Sequence, residues 1–488
     1  MATDIQIRPE SKWKQRIVTG LVLFLALPVY AQSDDPSFQE LSLETMDEFE
    51  GTTANWEIGG DVYMEFGRRL HVEAQSGTGV LINTNQGSSR RDIYTAWEHG
   101  DLDLEFEFMM ASESNSGIYL QGRYEIQLLD SWGVVNPRSG DMGGIYEMWR
   151  DGEGYGGVPP RENATRAPGL WQTMRIQFRA PRFNDLGEKT ENARVVEIRL
   201  NGVVIHKNVE LVGPTRGSMD DLEAVRGPLR IQGDHGPVAF RNIRYRVPEA
   251  DEYSLTPPEN VRRMPLIVNP ESEPKVMHGF MRLDSRVYPH TIAVGYPGRV
   301  HFAFDTRTSA LMKIWKGDFL NMNSMWVNRG GGNLSLNEPA AINLSGAPAF
   351  AFLSGSDAAW PDSLQEERTF TFHNYRFGPD GDVTLTYELD SNRIEDRFYA
   401  QNGGRELVRE LSFERPSPAE ELTIRVASGT SITRLPNGLY QADDKSFYIR
   451  LEPDSQRQAW IRETENGREL LLGVPAGEEA ALSYTYIW

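Results

Sequence analysis

Between residues 45 and 247 the chain repeats one arrangement: short segments of alternating apolar and polar residues, separated by turn residues. The run "DLDLEFEFMM" sets Leu102, Leu104, Phe106 and Phe108 on one face of a strand and acidic residues on the other. "TMRIQFRA" repeats the alternation through Met174, Ile176 and Phe178. In "RVVEIRLNGVVIHKNVEL" the pair Asn201-Gly202 stands between two strand-like runs, a strong hairpin signal because both residues tolerate positive φ. "GPVAFRNIRYRV" reads as a closing strand, and no long amphipathic helix is predicted. Strands at this spacing predict a β-sandwich of roughly two hundred residues.

The stretch 248–274 breaks the pattern. It carries Pro248, Pro257, Pro258, Pro265, Pro270 and Pro274 without sustained periodicity, so it reads as a linker. Alternating segments then resume in "TIAVGYPGRVHFAFD", "RTFTFHNYRFG", "DVTLTYELD", "ELTIRVAS" and "ALSYTYIW". The expected architecture is all-β: a sandwich over 45–247, the linker, and a second β-sandwich over 275–488. The role of the second is not legible. Trp315, Trp326 and Trp360 are candidates for stacking on sugar rings, although core or interface positions suit them better.

Composition narrows the partners. Lys12, Lys14 and Arg16 precede the apolar run "IVTGLVLFLALPVYA", which ends in small residues; this predicts a secretory signal peptide over residues 1–31. Cysteine is absent, so no disulfide framework is expected, and an exported chain without it suits a bacterial periplasm or secretion. No membrane span is expected once the leader is removed. A formal charge of −20 argues against nucleic acid and anionic lipid and fits a neutral partner such as a carbohydrate.

Familiar cofactor motifs fail. "GEGYGG" (152–157) matches a dinucleotide fingerprint literally, but Pro159, Pro160 and Pro168 follow where a helix is required. Eight scattered histidines without cysteine give no metal-ligand spacing, so no cofactor is identified and a divalent metal is left open. The informative stretch is "NSGIYLQGRYEIQLLDS" (115–131). As a strand after Gly122 it puts Tyr124, Ile126 and Leu128 on one face, with Arg123, Glu125 and Gln127 on the other and Asp130 just beyond. That second face is either an exposed polar surface or the floor of a site. The spacing E-x-Q-x-x-D resembles the E-x-D-x-x-E strand of family-16 glycoside hydrolases, where a bulge brings a third acid into the cleft. Here an amide replaces the middle acid and the shorter Asp ends the motif.

Five motifs in order — 115–131, "GGIYEMW", "PGLWQTMRIQFRAPRF", "ARVVEIRLNGVVIHKNVELVGPTRG" and "GPLRIQGDHGPVAFRNI" — resemble the 3-keto-disaccharide hydrolase family. The resemblance implies a concanavalin-like jelly roll acting on glycosides oxidised at C3, with "RYEIQLLD" and the "DHG" loop lining the groove. A C3 ketone acidifies the C2 proton, so such a site needs a base, an enolate stabiliser and an acid for the leaving oxygen. The candidates are Glu125 as base, Asp130 as second acid-base or orienting group, and His235 as leaving-group acid. Arg123 is the candidate for the enolate oxygen, or else pairs with an acid, while Gln127 and Tyr146 are candidates for sugar hydroxyls. Two alternatives stay open: a non-catalytic carbohydrate-binding protein, and a conventional family-16-like glycosidase.

Overall fold

Burial of alternate residues decides the strands. Leu102, Leu104, Phe106 and Phe108 are all buried in one hydrophobic core, as the alternation predicts. The strand Leu102–Met110 sits inside an eight-stranded antiparallel sheet. Its main path runs Val203–Leu211, Ala193–Leu200, Gln172–Arg179, Leu102–Met110, Val238–Arg246, Glu73–Asn83 and Trp56–Tyr63, with Gln39–Glu40 paired to Val238–Arg246. The Asn201-Gly202 hairpin forms as expected: both residues have positive φ (51° and 87°), and Leu200 pairs with Val203 across the turn.

A five-stranded sheet packs across that core. Its order is Phe49–Glu50, Ile93–His99, Gly227–Ile231, Asn115–Leu120 and Tyr124–Leu129. Ile118, Leu120, Tyr124, Ile126, Leu128 and Ile231 point from it into the same cluster as Leu104 and Phe106. Burying each large apolar side chain stabilises by about 1.5–3 kcal/mol, and a one-residue slip would turn all of them outward, so the register of the last two strands is strongly held.

The computed structural model describes residues 37–51, 54–87, 90–249, 252–253, 266–327, 332–336, 340–355, 358–414, 422–475 and 479–488. The leader expected over 1–31, and the parts of the linker at 250–251 and 254–265, lie outside them. Within the described residues no helix is long and apolar enough to cross a membrane. Of the linker stretch, Ile267–Val268 forms a short strand paired with Leu320–Asn321.

The second half is also β, with five-, four- and eight-stranded antiparallel sheets contributing to one core that includes Phe302, Phe304, Ile424, Leu470, Leu385 and Tyr486. Trp315 is wholly buried against Phe319, so it is a packing residue, whereas Trp326 is exposed. Residues 35–488 group as one compact unit. Ala167 and Leu170 pack into the second core, and Tyr448 Oη donates to the Pro168 carbonyl (3.1 Å). Trp132 Nε1 donates to the Trp488 main-chain oxygen (3.0 Å), and Arg241 pairs with Asp444 (2.7 Å).

Candidate active site

The turn that joins Asn115–Leu120 to Tyr124–Leu129 is three residues long and tightly held. Gln121 and Gly122 take positive φ (51° and 64°). The Gln121 N–H donates to His99 Nε2 (2.9 Å), and its side-chain amide donates to the carbonyls of His99 and Val225. From this turn the pairing runs without a register shift from Leu120–Tyr124 to Asn115–Leu129.

That unbroken register builds a row of side chains on the face turned away from the core. Tyr94 pairs with Arg230, Arg230 with Tyr119, and Tyr119 with Glu125. The Tyr146 N–H donates to the Glu125 carbonyl (3.0 Å) beside the Ile126–Ile145 bridge, which extends the row to Tyr146. Partners in antiparallel register share a face, so Tyr94, Arg230, Tyr119, Glu125 and Tyr146 lie side by side. A neighbouring row holds Gly117 opposite Gln127, with the Gln232 N–H donating to the Gly117 carbonyl (2.9 Å).

Glu125 is the centre of this surface. It is 2% exposed, and burial pushes its carboxyl up to about 8, opposed by a hydrogen bond from Tyr119 and by the charge of Arg230. Asp92 and Asp234 push it further in the same direction as burial. Arg230 is fixed on three sides: Nε donates to Asp92 (2.6 Å), Nη1 to the Gly217 carbonyl (2.6 Å), and the guanidinium lies 4.1 Å from the Tyr119 ring centroid. Asp92 also accepts the Gly233 N–H (2.9 Å), tying the cation to the loop that carries Asp234 and His235. Gln232 Oε1 is buried without a hydrogen-bond partner among the described residues, an acceptor suited to a ligand hydroxyl.

The other sequence candidates fall into two groups. Gln127 (5% exposed) shares the face of Glu125, and its Nε2 donates to Asn115 (2.6 Å). Tyr146 is half-buried at the end of the row, and His235 is exposed on the rim with Nδ1 bonded to Asp234. Arg123 lies in the turn, where Nε and Nη1 donate to the carbonyls of Leu222 (2.6 Å) and Gln121 (2.8 Å) and Nη2 faces Asp220 (3.6 Å). Asp130 keeps the parity of Ile126 and Leu128 and accepts the Glu113 N–H (2.8 Å), which fixes a residue with φ of 61°. Burial raises its carboxyl, and the N–H groups of Glu113 and Trp132 work against that. No bulge turns it toward Glu125. Arg230, Tyr119 and Asp92 were not among the sequence candidates, although Arg230 stands inside the quoted "GPLRIQGDHG" run. Among the described residues no three or more His, Cys, Asp or Glu gather as a metal site.

Gly117 makes room for the acid. A Cβ there would overlap Glu125 Oε1 and lie 3.1 Å from its Cγ. Gly117→Ala is therefore expected to displace the carboxyl and lower kcat by about 10²-fold, the cost of misplacing a reacting group by about 1 Å. Steady-state kinetics on the folded variant check this; unchanged kcat would show that the Glu125 position does not matter.

The polar face of this β-sandwich thus holds a buried acid, a fixed cation and an unpartnered acceptor at Gln232. Residues 44–246 match the family described as the 3-keto-alpha-glucoside-1,2-lyase-like domain. Three crystal structures from Parabacteroides distasonis, each described as a "putative glycosyl hydrolase", are similar to part of the chain. The first is 27% identical and covers 42% of this chain and 83% of its own, with a TM-score of 0.30. The second is 19% identical, with 43% and 99% covered and a TM-score of 0.28. The third is 15% identical, with 42% and 95% covered and a TM-score of 0.26. No curated protein matches the chain.

Proposed function

We propose that the 44–246 domain cleaves the glycosidic bond of 3-keto-glycosides by elimination followed by addition of water. The observation that carries this reading is Glu125: a buried carboxyl raised to about 8, set beside one fixed arginine that engages the nearby Asp92. Double displacement needs two carboxyl groups about 5 Å apart on the cleft face, and the Asp130 expected there caps a turn instead. Abstraction of the C2 proton needs one base of moderate basicity and a cation for the enolate oxygen.

In this reading the Glu125 carboxylate takes the C2 proton. The electron pair moves onto the C3 oxygen, where Arg230 and the Tyr119 hydroxyl stabilise the enolate. As the enolate collapses, the bond from C1 to the aglycone oxygen breaks, and His235 on the rim supplies that oxygen with a proton. Water then adds at C1 of the unsaturated keto-sugar and a proton returns to C2. The basic and apolar pattern of residues 1–31 supports an exported protein, and the acidic chain supports a neutral sugar as its substrate.

The test is the fate of the C2 hydrogen. Reaction of a 3-keto-disaccharide in deuterium oxide is expected to place deuterium at C2 of the early product, well above a no-enzyme control. The unoxidised parent disaccharide is expected to be inert, because its C2 proton is not acidic. Turnover of the parent without C2 exchange would replace this reading with direct displacement at C1. Saturable binding of the keto-sugar with no turnover would leave a carbohydrate-binding protein.

A further inference from the structure

At the end of the Tyr124–Leu129 strand remote from the turn, the chain enters a cavity of about 360 Å³ lined by both halves of the molecule. This volume falls in the roughly 300–1,000 Å³ range of small-molecule sites. Trp132, Arg161 and Glu162 line it from the first half, and Arg299, Lys316 and Arg405 from the second. Three of these six are arginines, in a chain with a formal charge of −20, while burial pushes the Lys316 ammonium down to about 7.

The charges are not balanced. Glu162 serves both Arg299 (2.7 Å) and Arg161 (3.3 Å), and Arg299 also meets Asp318 (3.1 Å). Lys316 is buried and donates to the Trp488 main-chain oxygen (2.5 Å). Arg405 is half-buried, and among the described residues its guanidinium makes no hydrogen bond or ion pair. It lies against the Trp132 ring, at 5.6 Å from the centroid. Its neighbour Glu406 is already taken by Arg450 (2.6 Å) and Gln401 (2.6 Å). A guanidinium carries five N–H donors in a planar fork that matches a carboxylate or sulfate, and those of Arg405 stay accessible in the cavity for a ligand to engage.

We infer that this cavity is a second ligand site, separate from the Glu125 surface, that takes an acidic saccharide: its carboxylate or sulfate ester on Arg405 and a sugar ring against Trp132. The anion follows from the unpartnered guanidinium. The sugar that carries it rests on reading the 44–246 domain as acting on glycosides. A ligand here touches both halves and is expected to stabilise their junction.

Calorimetric titration of the full-length protein with trigalacturonate, a sulfated trisaccharide, neutral maltotriose and inorganic sulfate tests this. One or both acidic oligosaccharides are expected to bind saturably, raise the melting temperature, and outcompete maltotriose and sulfate; which of them binds identifies the acid group. Arg405→Gln is expected to weaken that binding at least tenfold, with Arg405→Lys intermediate. Val135→Asp supplies an independent variant: Val135 is 67% exposed on the lip, so a carboxylate there repels the ligand without disturbing packing. Glu125→Gln is expected to bind the acidic saccharide as the wild type does, which keeps this result separate from the fate of the catalytic reading. Loss of binding in Glu125→Gln, no loss in Arg405→Gln and Val135→Asp, or no saturable binding of either acidic oligosaccharide overturns the site. Inorganic sulfate binding as tightly as the oligosaccharides overturns the assignment to a sugar.

Discussion

Glu125→Gln is expected to lower kcat on a 3-keto-glycoside by about 10²–10⁴-fold, the usual contribution of a positioned general base. The amide keeps the size of the carboxyl and loses only its basicity, so the effect is chemical. The pH profile carries the same information. Burial holds the carboxyl at about 8, so at pH 7 only about one molecule in ten has it ionised. Ionisation of a base gives a rising limb in the pH profile, and loss of the proton from the leaving-group acid proposed at His235 gives a falling one, whereas a Glu125 that acts as an acid gives a falling limb alone.

Stability should show the linked effect. The unfolded carboxyl releases its proton near 4.5 and the folded one near 8. The stability associated with the protonated group is full below pH 4.5 and is lost progressively as pH rises through about 8. Glutamine cannot ionise, so the variant is expected to melt with the wild type at pH 4.5 and above it at pH 8.5. Thermal melts at the two pH values check this; a variant less stable than the wild type at pH 8.5 would mean that the buried carboxylate is held by favourable contacts.

Arg230→Gln is expected to cost about 10²–10³-fold in kcat, as removal of an oxyanion-stabilising donor does elsewhere. It carries a second signature. The charge of Arg230 lowers the Glu125 carboxyl, so without it the rising limb of the pH profile moves to higher pH. Arg230→Lys should not restore activity, because one ammonium cannot hold Asp92 and the Gly217 carbonyl in the same fork geometry. Arg123→Gln is the contrast: its contacts are to Leu222, Gln121 and Asp220, so the expected loss is in stability, with a much smaller change in kcat. Equal kcat losses for both arginines, with no shift in either pH profile, would remove Arg230 from the chemistry.

Much of the strand pattern was legible because burial has a period of two. Leu102 to Phe108, Met174 to Phe178, and Tyr124 to Leu128 are buried as their alternation implies. The Asn-Gly hairpin follows from the same local logic, since two residues that accept positive φ specify the turn without help from the rest of the chain. Glu125 could be placed on the polar face by counting alone. Arg230 could not. It lies more than a hundred residues away, and only its pairing with Tyr119 brings it beside the acid.

The same division explains Asp130 and Arg123. Sequence spacing set them near Glu125, but spacing carries no information about whether a bulge changes parity or whether a loop supplies carbonyls. The unbroken register left Asp130 on the other parity, where it caps a turn, and the 215–222 loop drew Arg123 away with main-chain acceptors. The sequence by itself determined the all-β class, the inward face of the strands at 102–108, 124–128 and 174–178, the main hairpin and the acid at the heart of the candidate site, because these depend on neighbours along the chain. The cation that faces that acid, the glycine that makes room for it, its raised proton affinity and the cavity around Arg405 were decided only by the tertiary structure. Each of them depends on charges and surfaces brought together from distant strands, and on the water that this packing excludes.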